Sequence, residues 1–497
     1  MTTLGNTAID KITGQLGEAV GLGHVSRSPA EGVSYGWDCW PRRYLLQREL
    51  PVAPPPYWVV WPGAAAEVSN VLKLANRQNL RVVIYGAGSS LMGLPAVQSR
   101  AARKPRPTVI LDTKRMRQVL HLEESSLVLH TQAGISGREL EEGLARRSLQ
   151  LGHIPSSLYF STLGGWLATR SAGELTARYG RIDDLCLALT VVLPTGRLIH
   201  TRVAPRRSAG PDMMRVFFGS EGTLGVITAA TLRLRRRYEA RLWLSAAFAS
   251  GRQALEALGE ILFRSIRPAV GVLLDPRVRQ PFAPNLEADR WLLNLSFEGP
   301  EPLVSAERDC AATALAHGGG TILGGDPARL WWQTRHKGTF ELLKQRSAKN
   351  IIADEMDFAA SWSRLFPVAE AVQNSLQSLG AEVSLQFSHF SLEGGCILVR
   401  FTFPLDANQS STSDAQPAVE LYDRAWRAGL QACRRAGGSV VHHRAVGRQR
   451  LDAAVDEMGA QRQLLTQLKQ KLDPKGLLNP GLLGLGTQSA ARDAKNR

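Results

Sequence analysis

Two adjacent histidines, His442 and His443 in the run VHHRAVG (residues 441–447), are the side chains of this 497-residue chain best suited to moving a proton. Imidazole titrates near neutral pH. A histidine beside a substrate hydroxyl can therefore take its proton while a hydride leaves the same carbon. Arg335, in WWQTRHK (331–337), carries the planar fork that matches a carboxylate or phosphate. The five cysteines (Cys39, Cys186, Cys310, Cys396, Cys433) are scattered, with no zinc-knuckle or disulfide spacing, so a reducing compartment is expected.

Three segments rich in small residues have the chemistry of a polar-ligand cradle. In FFGSEGTLGVIT (217–228), Gly219, Gly222 and Gly225 interleave with Ser220, Glu221 and Thr223, and Ile227 lies in the exit strand. Glycine lets the main chain approach a ligand closely, and small hydroxyl side chains add donors. The strand RVVIY (81–85) runs into Gly86, Ala87, Gly88, Ser89 and Ser90, where successive N–H groups could converge on an anion. It is not a Rossmann fingerprint, because Leu91 stands where the third glycine belongs. The third segment spans residues 152–184. It holds Ser161, Thr162, Gly164, Gly165, Thr169, Ser171, Gly173, Tyr179 and Gly180, too many small residues to pack a core, and a long irregular loop of this kind suits wrapping a large polar cofactor.

The elements that must hold these segments can be read from periodicity. Val68, Val71, Leu72 and Ala75 mark a helix over residues 66–78, and Ser136 with Glu139 forms a capping box ahead of another. Prolines at 51 and 54–56 make a stiff connector, and residues 408–416 a polar loop. Between residues 240 and 430, strands at 242–248, 270–274, 292–297, 383–387 and 397–403 alternate with helices at 252–263, 303–317, 362–377 and 418–435. Leu464, Leu465, Leu468 and Leu472 mark a last helix. The length calls for two or three domains. No apolar run is long enough to span a bilayer and the first residues lack a secretory pattern, so a cytoplasmic chain is expected. The net charge of +16 suits an anionic substrate or peripheral contact with a membrane, and no nucleic-acid module accompanies it.

The three small-residue segments stand in one order, followed by DPKGLLNPG (473–481). Together they resemble the vanillyl-alcohol oxidase/p-cresol methylhydroxylase family of PCMH-type FAD-binding proteins. Gly152, His153, FSTLGGW (160–166), Thr169, Arg170, Tyr179, Gly180, Asp183, Asp184 and GPD (210–212) look most like its alkyldihydroxyacetonephosphate synthase branch, then its glycolate oxidase subunit and D-lactate dehydrogenase branch. The resemblance implies an α+β fold: a two-subdomain FAD-binding domain (51–238), a ferredoxin-like α+β cap (239–436) and a C-terminal helical segment returning to the flavin (437–485); the residues themselves add an N-terminal helical segment (1–50) and a disordered tail (486–497). It implies FAD as cofactor, held without a covalent link, since residues 86–90 contain no histidine or cysteine. Residues 86–90 and 161–165 would hold the pyrophosphate. Thr169, Ser171, Gly173 and Tyr179 would lie along the ribityl and flavin, and Glu221, Gly222, Thr223, Gly225 and Ile227 would meet the adenosine end.

This chain departs from those relatives on the substrate side. The synthase branch carries three adjacent histidines where His442, His443 and Arg444 stand. It also uses a tyrosine and an arginine in the stretch matching FSHFSLEGGCILVRF (387–401), which has no tyrosine, and Arg400 is expected in a strand past the site. Metal-using 2-hydroxy-acid dehydrogenases place two histidines in that stretch. With only His389 and His443 so placed, and Cys396 near the position of the missing histidine, no metal is expected. The expected function is FAD-dependent oxidation of a 2-hydroxy acid or related anionic alcohol, with His443, His442 and Arg335 as catalytic residues and the electron acceptor open. The alternatives are an alkylglycerone-phosphate synthase, using FAD without net redox, and the flavin subunit of a multi-subunit dehydrogenase. A homodimer is compatible with either.

Overall fold

The computed structural model describes residues 5–36, 38–46, 58–95, 106–204, 208–347, 351–405 and 416–486. The proline connector, most of the 408–416 loop and the tail after residue 486 lie outside these residues.

The segment before residue 240 builds two sheets. The first runs Val25–Ser26, Trp58–Val60, Thr108–Asp112, Arg81–Tyr85, with its last three strands parallel. A parallel neighbour needs a crossover, here the helix Ala65–Gln78. It buries Val68, Val71, Leu72 and Ala75 against the sheet and ends on Asn79 in the left-handed conformation, φ 53°. The DPKGLLNPG tail adds itself beside Arg81–Tyr85: Val82 N donates to the Leu477 carbonyl (2.9 Å), and Asn479 N donates to that of Val82 (3.0 Å). The second sheet is antiparallel, in the order Val119–Glu123, Val128–Gln132, Val226–Arg233, Cys186–Val192, Leu198–His200. The glycine-rich 217–225 run feeds its central strand. The 152–184 segment, expected as an irregular loop, winds into short helices at Leu163–Thr169, Thr176–Tyr179 and Ile182–Leu185.

The cap is one seven-stranded sheet, all neighbours antiparallel: Thr321–Gly324, Ala240–Phe248, Trp291–Gly299, Val270–Leu274, Glu382–Ser388, Gly394–Pro404, Ile351–Ser361. In chain order its first four strands lie 4-1-3-2, the ferredoxin-like arrangement, and the last three repeat part of it. Helices Gly251–Phe263, Glu301–His317, Trp362–Gln377 and Gln416–Arg435 pack on the sheet in a single apolar core.

The strand Ile351–Ser361 is not foreseen in the sequence, because IIADEMDFAAS carries three carboxylates in an apolar run. Strand periodicity sorts them. Asp354 faces the helices, where Tyr422 Oη (2.7 Å) and Trp426 Nε1 (3.0 Å) donate to it. Glu355 and Asp357 face the other way, toward the FAD-binding half. The helix Asp326–Ser347 is longer than the 331–337 stretch suggests. No helix among the described residues is long and apolar enough to cross a membrane.

Candidate active site

A cavity of about 280 Å³ lies where the loops after Arg81–Tyr85 and around residues 155–174 meet the cap sheet. Its first wall is main chain. Among the described residues, the N–H groups of Ala87, Gly88, Ser89 and Ser90 donate to no protein group. These residues are half-buried on the cavity wall, where open amides can donate to an external acceptor. Space here is tight: a Cβ on Gly86 would stand 2.6 Å from Thr162 Oγ1. Gly88 has φ 68°, and a Cβ there would collide with the Tyr85 hydroxyl. Thr162 caps the helix Leu163–Thr169, accepting from Gly165 N at 3.4 Å. Two glycine-bearing loops thus close on one channel of open donors, which fits a long anionic group such as a dinucleotide.

The opposite wall is side chain. Strand register sets Arg400 beside Glu355, and Cys396 beside Ser388. Glu355 is shared: Arg444 Nη2 bonds its Oε1, and Arg400 Nη2 bonds its Oε2 at 2.9 Å. Asp357 organises the turn carrying the two histidines. Its Oδ2 accepts from the backbone N of His442 (3.2 Å), His443 (3.0 Å) and Arg444 (3.3 Å), while Arg450 bonds its Oδ1. Burial alone would raise this carboxyl, but the Arg450 and Arg444 guanidiniums overrule it and hold it well below the usual range.

The imidazoles cluster above that carboxylate. His389, at φ 51°, stacks on His443 with ring centres 4.6 Å apart. His442 Nδ1 is 2.8 Å from His443 Nδ1, and Cys396 Sγ is 3.7 Å from the same nitrogen. Burial lowers His389 and His443 well below the ordinary histidine value and His442 to about 4, while it raises the Cys396 thiol. At neutral pH the rings are uncharged, so each has one nitrogen able to accept a proton. The ligand atoms of His389, Cys396 and His443 all lie within 4.8 Å of one another. The expectation of no metal counts two ligands here, whereas the fold gathers three.

The residues foreseen in the sequence divide. Gly86, Ala87, Gly88, Ser89, Ser90, Ser161, Thr162, Gly165, Thr169, Ser171, Arg335 and His443 line the cavity. His442 stands behind His443, its carbonyl accepting from Arg181 at 3.1 Å. Gly164 and Gly173 pack on Ala133 and Ile154. Tyr179 bonds Glu298 of the cap at 2.8 Å. Glu221, Gly222, Thr223, Gly225 and Ile227 line no part of this cavity. Glu221 is a buried brace, accepting from Val446 N (2.6 Å) and Gly447 N (3.2 Å) just beyond the histidines, and burial pushes it up to about 7. Gly222 meets Asn479 and Ile84, the Thr223 carbonyl accepts from Lys469, and Gly225 abuts Val191.

Arg400 corrects the sequence reading. It lies in the cavity wall rather than past the site, because its strand is paired on both sides and presents alternate residues to the FAD half. Glu355, Asp357 and Glu174 were also missed. Glu174 lines the cavity, and burial pushes its carboxyl up to about 7 against the pull of Arg335. The one signal for the first two is the acidic triplet within an otherwise apolar run. Tyr422 is buried behind the sheet on Asp354, and Tyr159, 50% exposed, sits edge-on to His336. Among the described lining residues the tyrosine is Tyr85, at the cradle end.

Comparison with known proteins settles the cofactor. Residues 56–202 match the family described as FAD binding domain, and residues 237–483 the one described as FAD linked oxidases, C-terminal domain. The chain belongs to the FAD-linked oxidase family. Its cofactor is FAD, and the cradle above fits it. Alkyldihydroxyacetonephosphate synthase of Dictyostelium discoideum is 27% identical over 463 residues, 86% of this chain and 72% of that protein. An uncharacterized FAD-linked oxidoreductase, YgcU of Escherichia coli K12, is 25% identical over 86% of this chain and 89% of its own length. Mitochondrial D-lactate dehydrogenase [cytochrome] of Arabidopsis thaliana is 38% identical, but over 36% of this chain and 30% of that protein. Among solved structures, an alkyldihydroxyacetonephosphate synthase superposes with TM-score 0.79 at 24% identity, covering 95% of this chain and 84% of that one. Substrate-bound p-cresol methylhydroxylase superposes with TM-score 0.73 at 15% identity, covering 97% and 98%. At these identities the superpositions establish the fold alone.

Proposed function

We propose that this chain is an FAD-dependent oxidoreductase that takes a hydride from the carbinol carbon of a small anionic alcohol, a 2-hydroxy acid or a near relative. Bound FAD supplies the hydride acceptor. His443 takes the hydroxyl proton. Its ring is neutral, lines the cavity, and sits on a turn that Asp357 and Arg450 fix. His389 stacks against it and sets its plane. Arg335 binds the anionic group of the substrate. The observation that carries this reading is the His443 imidazole on the wall of the same cavity as the open cradle, with Arg335 and Arg400 beside it and, among the described lining residues, no tyrosine at the reactive end.

Similarity to alkyldihydroxyacetonephosphate synthases over 86% of the chain favours a second reading, an exchange of acyl for alkyl on a phosphate-bearing substrate without net redox. The comparisons lean to this reading and the side chains to the first. The two are separated by mixing the anaerobic flavoprotein with a panel of 2-hydroxy acids, then with acyl-dihydroxyacetone phosphate and a long-chain alcohol. Bleaching of the flavin by a hydroxy acid is the expected result. Ether product without bleaching would replace the first reading by the second.

A further inference from the structure

Arg400 has more positive charge around it than its ion pair consumes. Glu355 is its carboxylate partner, yet the other oxygen of Glu355 is taken by Arg444. Arg444 also donates to the Glu355 carbonyl at 3.0 Å and lies 4.0 Å from Asp357, and its side chain is 17% exposed, so it is an internal strut. Arg400 keeps 35% of its side chain exposed on the cavity wall. Its Nε is buried and has no partner among the described residues.

Arg335 repeats this pattern from a different element. It comes from the helix Asp326–Ser347, lies flat on the Trp332 ring 3.5 Å from its centre, and is tied to the Trp332 carbonyl. Its Nε is likewise buried without a partner among the described residues, and it lines the same cavity. Stacking leaves the edge of a guanidinium free for a planar anion. Among the described lining residues, three arginines and two carboxylates, Glu174 and Glu355, thus face one space. Two of the guanidiniums are mounted on separate elements, each with a donor to spare.

We propose that Arg335 and Arg400 are two separate anion anchors, and that the substrate is an alcohol bearing two anionic groups rather than one. This deepens the oxidation reading, since it names the substrate class of the same site. Binding of a dianion, however, can be measured without turnover.

The test uses the flavin-loaded enzyme and unreactive probes. Glutarate and succinate carry two carboxylates, butyrate carries one, and glycerol 3-phosphate carries its charge on a single group. Each is titrated while flavin absorbance is followed. Glutarate or succinate is expected to bind at least about ten-fold tighter than butyrate, as one added charge-assisted bidentate contact allows. Arg400→Met is expected to remove that advantage while flavin content stays full. Should Arg400→Met lose flavin, Arg400→Gln, which keeps a donor for Glu355, is read in its place. Dicarboxylates no tighter than butyrate, or an advantage that survives both the Arg400 and the Arg335→Met changes, would overturn the proposal. So would tight glycerol 3-phosphate binding with no dicarboxylate preference. If the dicarboxylate preference holds but no hydroxy acid reduces the flavin, the oxidation reading fails and the two-anchor site stands.

Discussion

The two walls of the cavity meet charge in opposite ways. The FAD-binding half presents main chain: four open amides on a loop made of glycine, alanine and serine. The cap presents side chains: Glu355 and Arg400 from two strands, His389 from just past the end of a third and His443 from a returning tail line it, with Asp357 and Cys396 behind them. A main-chain cradle depends on backbone shape and on the absence of side chains. A side-chain cluster depends on register and on each charge being offset by its neighbour. The first tolerates little added bulk, and the second little lost charge.

The largest expected effect is therefore in the cap. Asp357→Asn leaves Arg450 buried without its counter-ion, and breaking one partner of a buried pair costs about 3–5 kcal/mol. Thermal or denaturant unfolding measures it; a loss below about 1 kcal/mol would mean that Asp357 does not organise the cap. Next, in the loop half, Gly88→Val adds a side chain at positive φ against the Tyr85 hydroxyl. FAD affinity should fall by about 100-fold, roughly 2.7 kcal/mol, read as the flavin-to-protein absorbance ratio. Normal flavin content would remove this loop from the cofactor site.

A third test sets the halves apart by pH. Buried His153, beside Trp166, is lowered to about 3, and neither ring nitrogen has a partner among the described residues. The unfolded chain takes its proton near pH 6.5, whereas the folded chain resists until about 3. Its contribution is thus complete above 6.5 and is lost as pH falls toward 3, by up to about 1.4 kcal/mol per pH unit. His153→Phe should flatten that slope by one group, leaving the cap histidines to supply the rest. An unchanged slope would mean that His153 is charged in the fold. The smallest effect is at the junction. Glu221→Gln keeps an acceptor for Val446 N and Gly447 N, so stability should change by about 1 kcal/mol or less. Flavin content should stay full, with turnover lowered because the brace behind His443 is softened. Loss of flavin instead would place Glu221 against the cofactor.

The same contrast explains what could be read from the sequence. The cradle was legible because glycine and serine spacing after RVVIY states a backbone requirement locally. The cap helices and most of its strands were legible because their apolar periods are regular. Ile351–Ser361 was not: its carboxylates break the apolar run, and their partners Arg400, Arg444 and Arg450 lie 45 or more residues away. Arg400 was assigned away from the site for the same reason, since which face a strand residue takes follows from pairing. Glu221 sits in a glycine-rich motif of ligand-binding character, yet its carboxylate turns to the histidine-bearing tail. Composition cannot show that direction.

Whether the cradle and the chemistry are divided between the two halves is tested most directly on one variant. His443→Ala is purified, its flavin content measured, and anaerobic flavin reduction followed with the hydroxy acid that bleaches the wild-type protein fastest. The expected result is full flavin content and reduction slowed by about 100-fold or more, the scale of losing a general base. Reduction at the wild-type rate, or loss of the flavin itself, would contradict it.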